Sequence, residues 1–208
     1  MVPGCVLSGG EARRLGGKGK ALVKIAGSNM IDLVIKSLNR QVSPLVINTR
    51  DKTQTLSDKY SHIEDFIKVD GGAGPLSGIL SAIIWAKRYF NESYTNFNND
   101  VGYVLTVPVD CPFIPSDLVK RLYYPLYSDS FDIVVASSNG NIHPVIALWS
   151  INLDRSLEEA LNNGVRKIDF FTSSFRVKVI DWKFKDFDPF FNVNNHDDVL
   201  IAESYLNC

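Results

Sequence analysis

The chain has 208 residues, of which 45% are hydrophobic and 22% are charged, and its formal net charge at pH 7 is −1. This length and apolar content are enough for one sizeable hydrophobic core, so we expect a single domain over residues 1–208. The near-zero charge argues against the global basic field of a nucleic-acid-binding protein, and no apolar run approaches the length of a transmembrane helix.

Apolar runs alternate with helical patterns along the whole chain. The predicted strands are residues 4–7, 44–48, 66–69, 101–107, 132–136, 144–149 and 176–180. The predicted helices are residues 30–38, 76–89, 116–126, 153–162 and 196–206. Several strands are continuously apolar, as expected when both faces of a sheet are covered. The alternation predicts an α/β fold with a mostly parallel sheet.

The first predicted strand runs into the glycine-rich and basic segment LSGGEARRLGGKGKAL, residues 7–22. Glycines such as Gly9 and Gly10 allow the backbone N–H groups to approach a ligand closely, and Arg14 and Lys20 add positive charge. The segment therefore predicts a triphosphate site. It matches neither the P-loop nor the GxGxxG fingerprint, and a loop that only links two elements is the alternative.

Three further polar residues follow predicted strands. Asn48 ends the second strand, Asp70 precedes the turn GGAGPLSG after the third, and Asp110 lies in VPVDCPFIP after the fourth. In a parallel α/β sheet the carboxyl ends of the strands meet at one edge. We therefore expect Leu7, Asn48, Asp70 and Asp110 to converge there.

Asp110 is the candidate metal ligand. Its carboxylate is held in a proline-rich loop, and Mg²⁺ bound to a triphosphate commonly takes one or two protein carboxylates. The alternative is an aspartate that caps the helix predicted to begin near Ser116. Asp70 has a similar alternative, a plain turn before a helix.

His143 and the cysteines are weaker signals. His143 precedes a predicted strand, where it either contacts a substrate or simply stands at the strand's start. No Ser/His/Asp or Cys/His constellation can be assembled from the spacing, so we expect chemistry without a covalent intermediate. Three scattered cysteines without a CxxC pair argue against a disulfide framework or a zinc site. The first residues lack the features of a signal peptide, so we expect a cytoplasmic protein.

These motifs resemble those of the bacterial molybdenum cofactor guanylyltransferases. That family opens with LAGGxxxR, then M or L, then GGxDK, which matches this chain from Leu7 to Lys20. The family's asparagine after the second strand, its aspartate before a GPLxG turn and its metal aspartate in PxDxP match Asn48, Asp70 and Asp110. Its HP dipeptide and C-terminal NxN resemble residues 143–144 and 192–194.

The resemblance implies a three-layer, Rossmann-like nucleotidyltransferase fold with a mostly parallel mixed sheet. It implies transfer of GMP from GTP to molybdenum-bearing molybdopterin, with release of pyrophosphate and with Mg²⁺ as cofactor. It assigns catalysis to Lys20, Arg14 and Asp110, metal binding to Asp110, and GTP binding to Leu7, Ser8, Gly9, Gly10, Lys20, Asn48, Asp70 and Asp110. The pterin is expected near His143 and residues 192–194. Transient contacts with cofactor-delivery proteins and molybdoenzymes are also implied, whereas nucleic acid and membrane are not.

Two departures from the family pattern stand in the opening loop. Gly19 replaces the usual aspartate before the loop lysine, and Ser8 replaces an alanine. The missing carboxylate predicts reduced activity or a role shared with Lys18. The rival functions are a cytidylyltransferase or sugar-phosphate nucleotidyltransferase and a nucleotide-binding module without catalysis. The paired Gly9 and Gly10 favour a purine, because they leave room for the larger base.

Overall fold

The computed structural model describes residues 1–9, 19–49, 56–67, 74–93 and 102–206. Its strands are β1 Val2–Leu7, β2 Lys24–Ile25, β3 Ser28–Asn29, β4 Val42–Thr49, β5 Ser61–Glu64, β6 Tyr103–Pro108, β7 Ile133–Ser138, β8 Asn141–Ser150 and β9 Val177–Trp182. Its helices are α1 Met30–Leu38, α2 Pro75–Ser93, α3 Leu118–Tyr123, α4 Asp154–Asn162, α5 Ile168–Thr172 and α6 His196–Leu206. Among the described residues, no helix has both the length and the apolar character needed to cross a membrane.

Seven strands form one sheet in the order β5-β4-β1-β6-β8-β7-β9. β8 runs antiparallel to both of its neighbours, and the other neighbouring pairs are parallel. The prediction of a mostly parallel mixed sheet is therefore confirmed. Because β8 is reversed, its amino-terminal end lies at the same sheet edge as the carboxyl ends of β1, β4 and β6.

The sheet separates two apolar layers, which gives the predicted three-layer α/β architecture. Alternate residues of β1 enter different layers: Val6 packs with α1 and α3, whereas Cys5 and Leu7 pack with α2, α4 and α5. All three side chains are buried. A strand covered on both faces has no polar face, which explains why this stretch reads as a continuous apolar run.

The third strand is not where the sequence predicted it. Residues 66 and 67 of the expected strand 66–69 are not in a strand, residues 68–69 lie outside the described residues, and the strand found in this region is β5, which ends at Glu64. Phe66 is 50% exposed, and its N–H donates to Ser81 Oγ of α2 and not to a neighbouring strand. β5 is a short edge strand with partly buried residues, so its pattern is weaker than that of the apolar segment after it. The residue that directly follows this strand is therefore Asp65, not Asp70.

The helix predicted at residues 116–126 is shorter in the structure. α3 ends at Tyr123 and continues as a 3-10 turn, Tyr124–Tyr127, that contains Pro125. Proline has no N–H with which to continue an α-helix. Asp117 does not cap α3 with its side chain and instead accepts a hydrogen bond from Trp182 Nε1.

β7 and β8 are both predicted as strands, but the hairpin that they form was not predicted from the sequence. The turn residues Asn139 and Gly140 have φ angles of 45° and 89°. Asn-Gly is the commonest signal for a two-residue hairpin turn, because both positions need positive φ. This hairpin gives β8 its reversed direction and thereby brings His143 to the sheet edge where β1, β4 and β6 end.

Candidate functional site

A cleft of about 410 Å³ opens at the carboxyl ends of β1, β4 and β6. The residues that line it include Leu7, Gly9, Lys20, Asn48, Asp65, Gly78, Asp110, Cys111, His143, Pro144 and Asn192. Leu7, Asn48 and Asp110 thus converge as the strand order requires. Asp70, the fourth residue of that expectation, lies outside the described residues.

Lys20 and Asp110 form an ion pair in this cleft. Lys20 Nζ lies 2.7 Å from Asp110 Oδ2, although the two residues are 90 positions apart in the chain. Both side chains are only 15% exposed, so water screens their attraction less than at an open surface. Lys20 Nζ also donates to Asn194 Oδ1. An ammonium group carries three N–H donors, and the described part of the chain supplies partners for two of them, which leaves the third for a ligand.

The loop that carries Asp110 is fastened by its backbone. The N–H of Val109 donates to Leu7 O at 3.0 Å, and the N–H of Val193 donates to Asp110 O at 2.8 Å. The neighbouring Cys111 thiol contacts Phe190 O at 3.5 Å. Burial raises the pKa of Cys111 well above its ordinary value, and the Asp110 carboxylate adds to that shift. The thiol is therefore neutral and unsuited to nucleophilic attack.

The C-terminal segment before α6 lines the cleft through Asn192, and its Asn194 accepts a hydrogen bond from Lys20. The start of α6 is capped reciprocally, because the N–H of Asn195 donates to Asp198 Oδ2 and the N–H of Asp198 donates to Asn195 Oδ1. A cap of this kind fixes the direction in which the chain enters the helix. It thereby holds Asn194 in reach of Lys20.

Asn48 and Asp65 lie together at the end of β4 and β5. Asn48 is 2% exposed, and its Nδ2 donates to Asp65 Oδ1 at 3.1 Å. A Cβ added to Gly78 of α2 would stand 2.7 Å from Asn48 Oδ1, so the close approach of α2 requires glycine there. The sequence predicts the third strand at residues 66–69 and therefore does not single out Asp65, whose signal is its position directly after β5.

Ser138, His143 and Asp188 form a hydrogen-bonded group at the start of β8. His143 Nε2 contacts Ser138 Oγ, and Ser138 Oγ donates to Asp188 Oδ2 at 2.9 Å. The structure therefore assembles a Ser/His/Asp set that spacing alone did not reveal. It is not a nucleophilic triad, because the serine lies between the other two and gives its only proton to the carboxylate. Burial lowers the pKa of His143 below its ordinary value, although the Asp188 carboxylate opposes that shift.

Comparisons with known proteins place this geometry in a family. Residues 4–174 match the model of the MobA-like NTP transferase domain. The chain belongs to the MobA-like NTP transferase family. The molybdenum cofactor guanylyltransferase of Rhodopseudomonas palustris strain BisB5 is 39% identical over 204 residues, which are 97% of this chain and 92% of that protein. The enzyme of the same description from Bradyrhizobium sp. strain ORS 278 is 37% identical over 204 residues, with the same coverage.

A solved structure agrees with this assignment. The crystal structure of molybdopterin-guanine dinucleotide biosynthesis protein A from Archaeoglobus fulgidus matches with a TM-score of 0.75 and 25% identity, and the match covers 99% of both chains. The chain is thus a nucleotidyltransferase of the MobA-like family. The family resemblance and the fold inferred from the sequence motifs are confirmed.

In this MobA-like chain, the structure explains Gly19 but offers no explanation for Ser8. Gly19 has φ 85° and ψ 138°, a backbone conformation that residues with a Cβ rarely adopt. The missing family aspartate does not leave Lys20 unoriented, because Asp110 and Asn194 hold its ammonium group. Ser8 is 6% exposed, and its hydroxyl has no hydrogen-bond partner within the described part of the chain.

The expected phosphate cradle needs one adjustment. The N–H of Ser8 donates to Asn48 O at 2.9 Å, so it is already used in the sheet and is not available to a phosphate. A cradle of backbone N–H groups would therefore begin no earlier than Gly9, which lines the cleft. Gly10 and Arg14, the other loop residues with an expected role, lie outside the described residues.

The side chains present suit a metal ion that arrives with a nucleotide. Over the ranges described above, no three His, Cys, Asp or Glu side chains gather into a protein-made metal cage. Asp110 instead offers its own carboxylate beside Lys20 in the cleft. Such a hard oxygen donor fits Mg²⁺, which commonly completes its coordination with phosphate oxygens and water.

Proposed function

We propose that this MobA-like transferase moves GMP from GTP to the terminal phosphate of molybdopterin that carries molybdenum. The products are the guanine dinucleotide form of the cofactor and pyrophosphate. The observation that carries the proposal is the Lys20–Asp110 pair inside the cleft, 2.7 Å apart. The pair places a cation that can bind the triphosphate next to a carboxylate that can bind the metal ion. The similarity to the molybdenum cofactor guanylyltransferases of Rhodopseudomonas palustris and Bradyrhizobium supports the choice of substrates.

The reaction joins two anions, so the main task of the protein is to neutralise charge and align the reactants. A phosphate oxygen of the acceptor attacks the α-phosphorus of GTP; the new P–O bond forms as the bond to pyrophosphate breaks. Lys20 directs its remaining N–H donor at the triphosphate, together with Arg14 of the same loop. Asp110 would hold Mg²⁺ with the phosphates, and the bound ion would supply further positive charge there.

The two ends of the cleft bind different substrates in this proposal. Asn48, Asp70 and the neighbouring Asp65 recognise the guanine and ribose end of the nucleotide. The pterin lies toward His143 and residues 192–194, on the side of the cleft formed by β8 and the C-terminal segment. Handover of the cofactor requires transient contacts with delivery proteins and molybdoenzymes.

The test is pyrophosphate release from GTP in the presence of Mg²⁺ and the molybdenum cofactor. Lys20→Ala and Asp110→Ala are each expected to lower kcat/KM on the order of a hundredfold or more, because each removes charge that stabilises the transition state. Circular dichroism and thermal denaturation establish that both variants remain folded. Wild-type rates in either variant would remove that residue from the mechanism.

The chain offers a matched control for this experiment. Lys87 and Asp154 form an ion pair of the same length, 2.7 Å, and with similar partial exposure, but it joins α2 to α4 away from the cleft. Lys87→Ala is expected to change kcat/KM by less than about twofold. A loss as large as that of Lys20→Ala would show that breaking any such pair impairs the enzyme.

Nucleotide choice is tested separately by calorimetric titration and thermal shift. GTP is expected to raise Tm more than CTP or ATP, and Mg²⁺ is expected to tighten GTP binding. A preference for CTP would favour the cytidylyltransferase alternative. Binding of GTP without pyrophosphate release, even with authentic acceptor and Mg²⁺, would favour the non-catalytic alternative.

A further inference from the structure

The hydrogen-bonded group of Asp188, Ser138 and His143 fixes the direction of each proton in it. Asp188 uses both carboxylate oxygens as acceptors: Oδ1 accepts from the N–H of Phe190 at 2.8 Å, and Oδ2 accepts from Ser138 Oγ at 2.9 Å. An ionised carboxylate has no proton to give, so the serine must be the donor in the second contact.

The orientation of the serine then determines the tautomer of the histidine. Ser138 has a single hydroxyl proton, and Asp188 receives it. Toward His143, Ser138 Oγ can therefore only accept, and Nε2 of the imidazole must carry the proton. In the neutral ring the other nitrogen, Nδ1, is then an acceptor with a free lone pair.

The position of His143 makes the Nδ1 lone pair accessible to a ligand in the cleft. Ser138 is 0% exposed, so Nε2 is directed into the protein. His143 itself lines the cleft beside Ile142 and Pro144, and its ring lies 5.0 Å from that of Phe190. Within the described ranges, Nδ1 has no hydrogen-bond partner among the contacts of His143. A ligand in this part of the cleft would thus meet apolar walls and one hydrogen-bond acceptor.

We propose that Asp188 and Ser138 hold His143 in the Nε2–H tautomer, so that Nδ1 accepts a hydrogen bond from a ring N–H or an O–H of the acceptor substrate. His143 is then a specificity-determining residue, and Asp188 and Ser138 are positioning residues that act through it. This inference rests on the proposed function, since the acceptor is the second substrate of GMP transfer. His143 then selects heteroaromatic acceptor substrates that place a hydrogen-bond donor next to Nδ1.

Asp188→Asn keeps the hydrogen bonds among the three side chains but reverses their direction. The asparagine oxygen keeps the hydrogen bond from Phe190, and its amide now donates to Ser138. Ser138 must then donate to His143 Nε2, which moves the imidazole proton to Nδ1. The ligand would meet a donor where it needs an acceptor.

The tautomer is measured directly by ¹⁵N NMR of histidine-labelled protein at about pH 8, where ordinary histidines are neutral. The protonated and unprotonated ring nitrogens differ strongly in chemical shift. The His143 signals are assigned by their absence in His143→Asn. In the wild type the proton is expected on Nε2, and in Asp188→Asn on Nδ1. A wild-type proton on Nδ1 would overturn the proposal.

Recognition is measured by the KM values of the two substrates. Asp188→Asn is expected to raise the KM of the pterin acceptor about tenfold or more, with the KM of GTP nearly unchanged. His143→Asn, which keeps an acceptor oxygen near the position of Nδ1, is expected to bind the acceptor better than His143→Leu. Equal KM values for the acceptor in wild type and Asp188→Asn would contradict the recognition role.

Asp181→Asn is the matched control. Asp181 Oδ1 accepts from Ser137 Oγ at 2.6 Å, a second Ser–Asp pair one residue earlier on β7 that includes no histidine. Both KM values are expected to stay at the wild-type level in this variant. If the chain shows the Nε2–H tautomer but transfers no GMP, the proposed function fails and the tautomer assignment stands. If Asp188→Asn unfolds, Ser138→Ala replaces it and is expected to give a mixture of tautomers.

Discussion

Gly78 of α2 lies so close to Asn48 at the end of β4 that an added Cβ would stand 2.7 Å from Asn48 Oδ1 and 3.2 Å from Leu7 Cδ2. Asn48 in turn holds Asp65 in the cleft. A helix residue without a side chain thus allows a buried amide to occupy the sheet edge where the nucleotide is expected to bind.

Gly78→Ala should therefore disturb the base end of the cleft. Overpacking against buried Asn48 is expected to lower the free energy of unfolding by about 1–2 kcal/mol, after the better helix propensity of alanine is included. GTP affinity, measured by titration, should fall as well. Gly9→Ala is the control, because no atom of the described residues lies within 4 Å of its added Cβ, and its unfolding free energy should change by less than about 0.5 kcal/mol. A Gly78→Ala variant with wild-type stability and affinity would contradict this account.

Ser8→Ala should stabilise the chain. The Ser8 hydroxyl is buried without a partner in the portion of the chain that the structure describes, and its removal ends a desolvation cost of about 1 kcal/mol. Ser137→Ala should have the opposite effect, about 1–2 kcal/mol of destabilisation, because the buried Ser137 hydroxyl donates to Asp181. Denaturant unfolding measures whether each of the two substitutions raises or lowers the free energy of unfolding. A destabilised Ser8→Ala would mean that its hydroxyl is satisfied.

The stability contributed by Asp181 should depend on pH. Hydrogen bonds from Lys183, from Ser137 and from the N–H of Gly140 lower the pKa of Asp181 below its ordinary value of 3.8. The folded state thus favours the ionised carboxylate, and this stabilisation is fully present above the unfolded pKa. It is lost as the pH falls from about 3.8 through the lower folded pKa.

Asp181→Asn provides the measurement. The variant should unfold at lower denaturant concentration than the wild type at pH 7, and the difference should shrink between about pH 4 and pH 2. A stability difference that stays constant over that range would show that the carboxylate charge is not what stabilises the hairpin turn.

Cys111→Ala should retain GMP transfer, even though Cys111 lines the cleft next to Asp110. Because its thiol is buried and its pKa is raised, it does not form the thiolate that a covalent mechanism needs. We expect kcat/KM within about threefold of wild type, with Cys5→Ala as the buried control away from the cleft. A hundredfold loss specific to Cys111→Ala would indicate nucleophilic catalysis.

Long periodic segments were predictable from the sequence. The bounds of α1 and α6 agree with the predicted residues 30–38 and 196–206. The end of the helix predicted at residues 153–162 is also observed, since α4 ends at Asn162 and Gly164, shortly after it, has φ 82°. In these cases the signal is local: apolar spacing sets the buried face, and glycine tolerates the backbone angle that ends a helix.

β5 and its neighbour Asp65 were not predictable in the same way. A four-residue edge strand with partly buried side chains has little apolar pattern, and a more apolar segment follows it directly. What holds residues 66–67 out of the sheet is hydrogen bonding to Ser77 and Ser81 on α2. Contacts of that kind depend on where the helix lies, which the local sequence does not reveal.

The sequence by itself determined the alternation of strands and helices, the glycine-rich basic loop and the single carboxylate after the fourth strand. Each of these features depends only on residues that are close together in the chain. Only the tertiary structure decided that Lys20 meets Asp110 and Asn194, which lie 90 and 174 positions away, and that Asp188 reaches Ser138. The physical reason is that the sheet places β1 beside β6 and reverses β8. Strand order and direction follow from the packing of the whole chain, whereas local patterns report only backbone preference and burial.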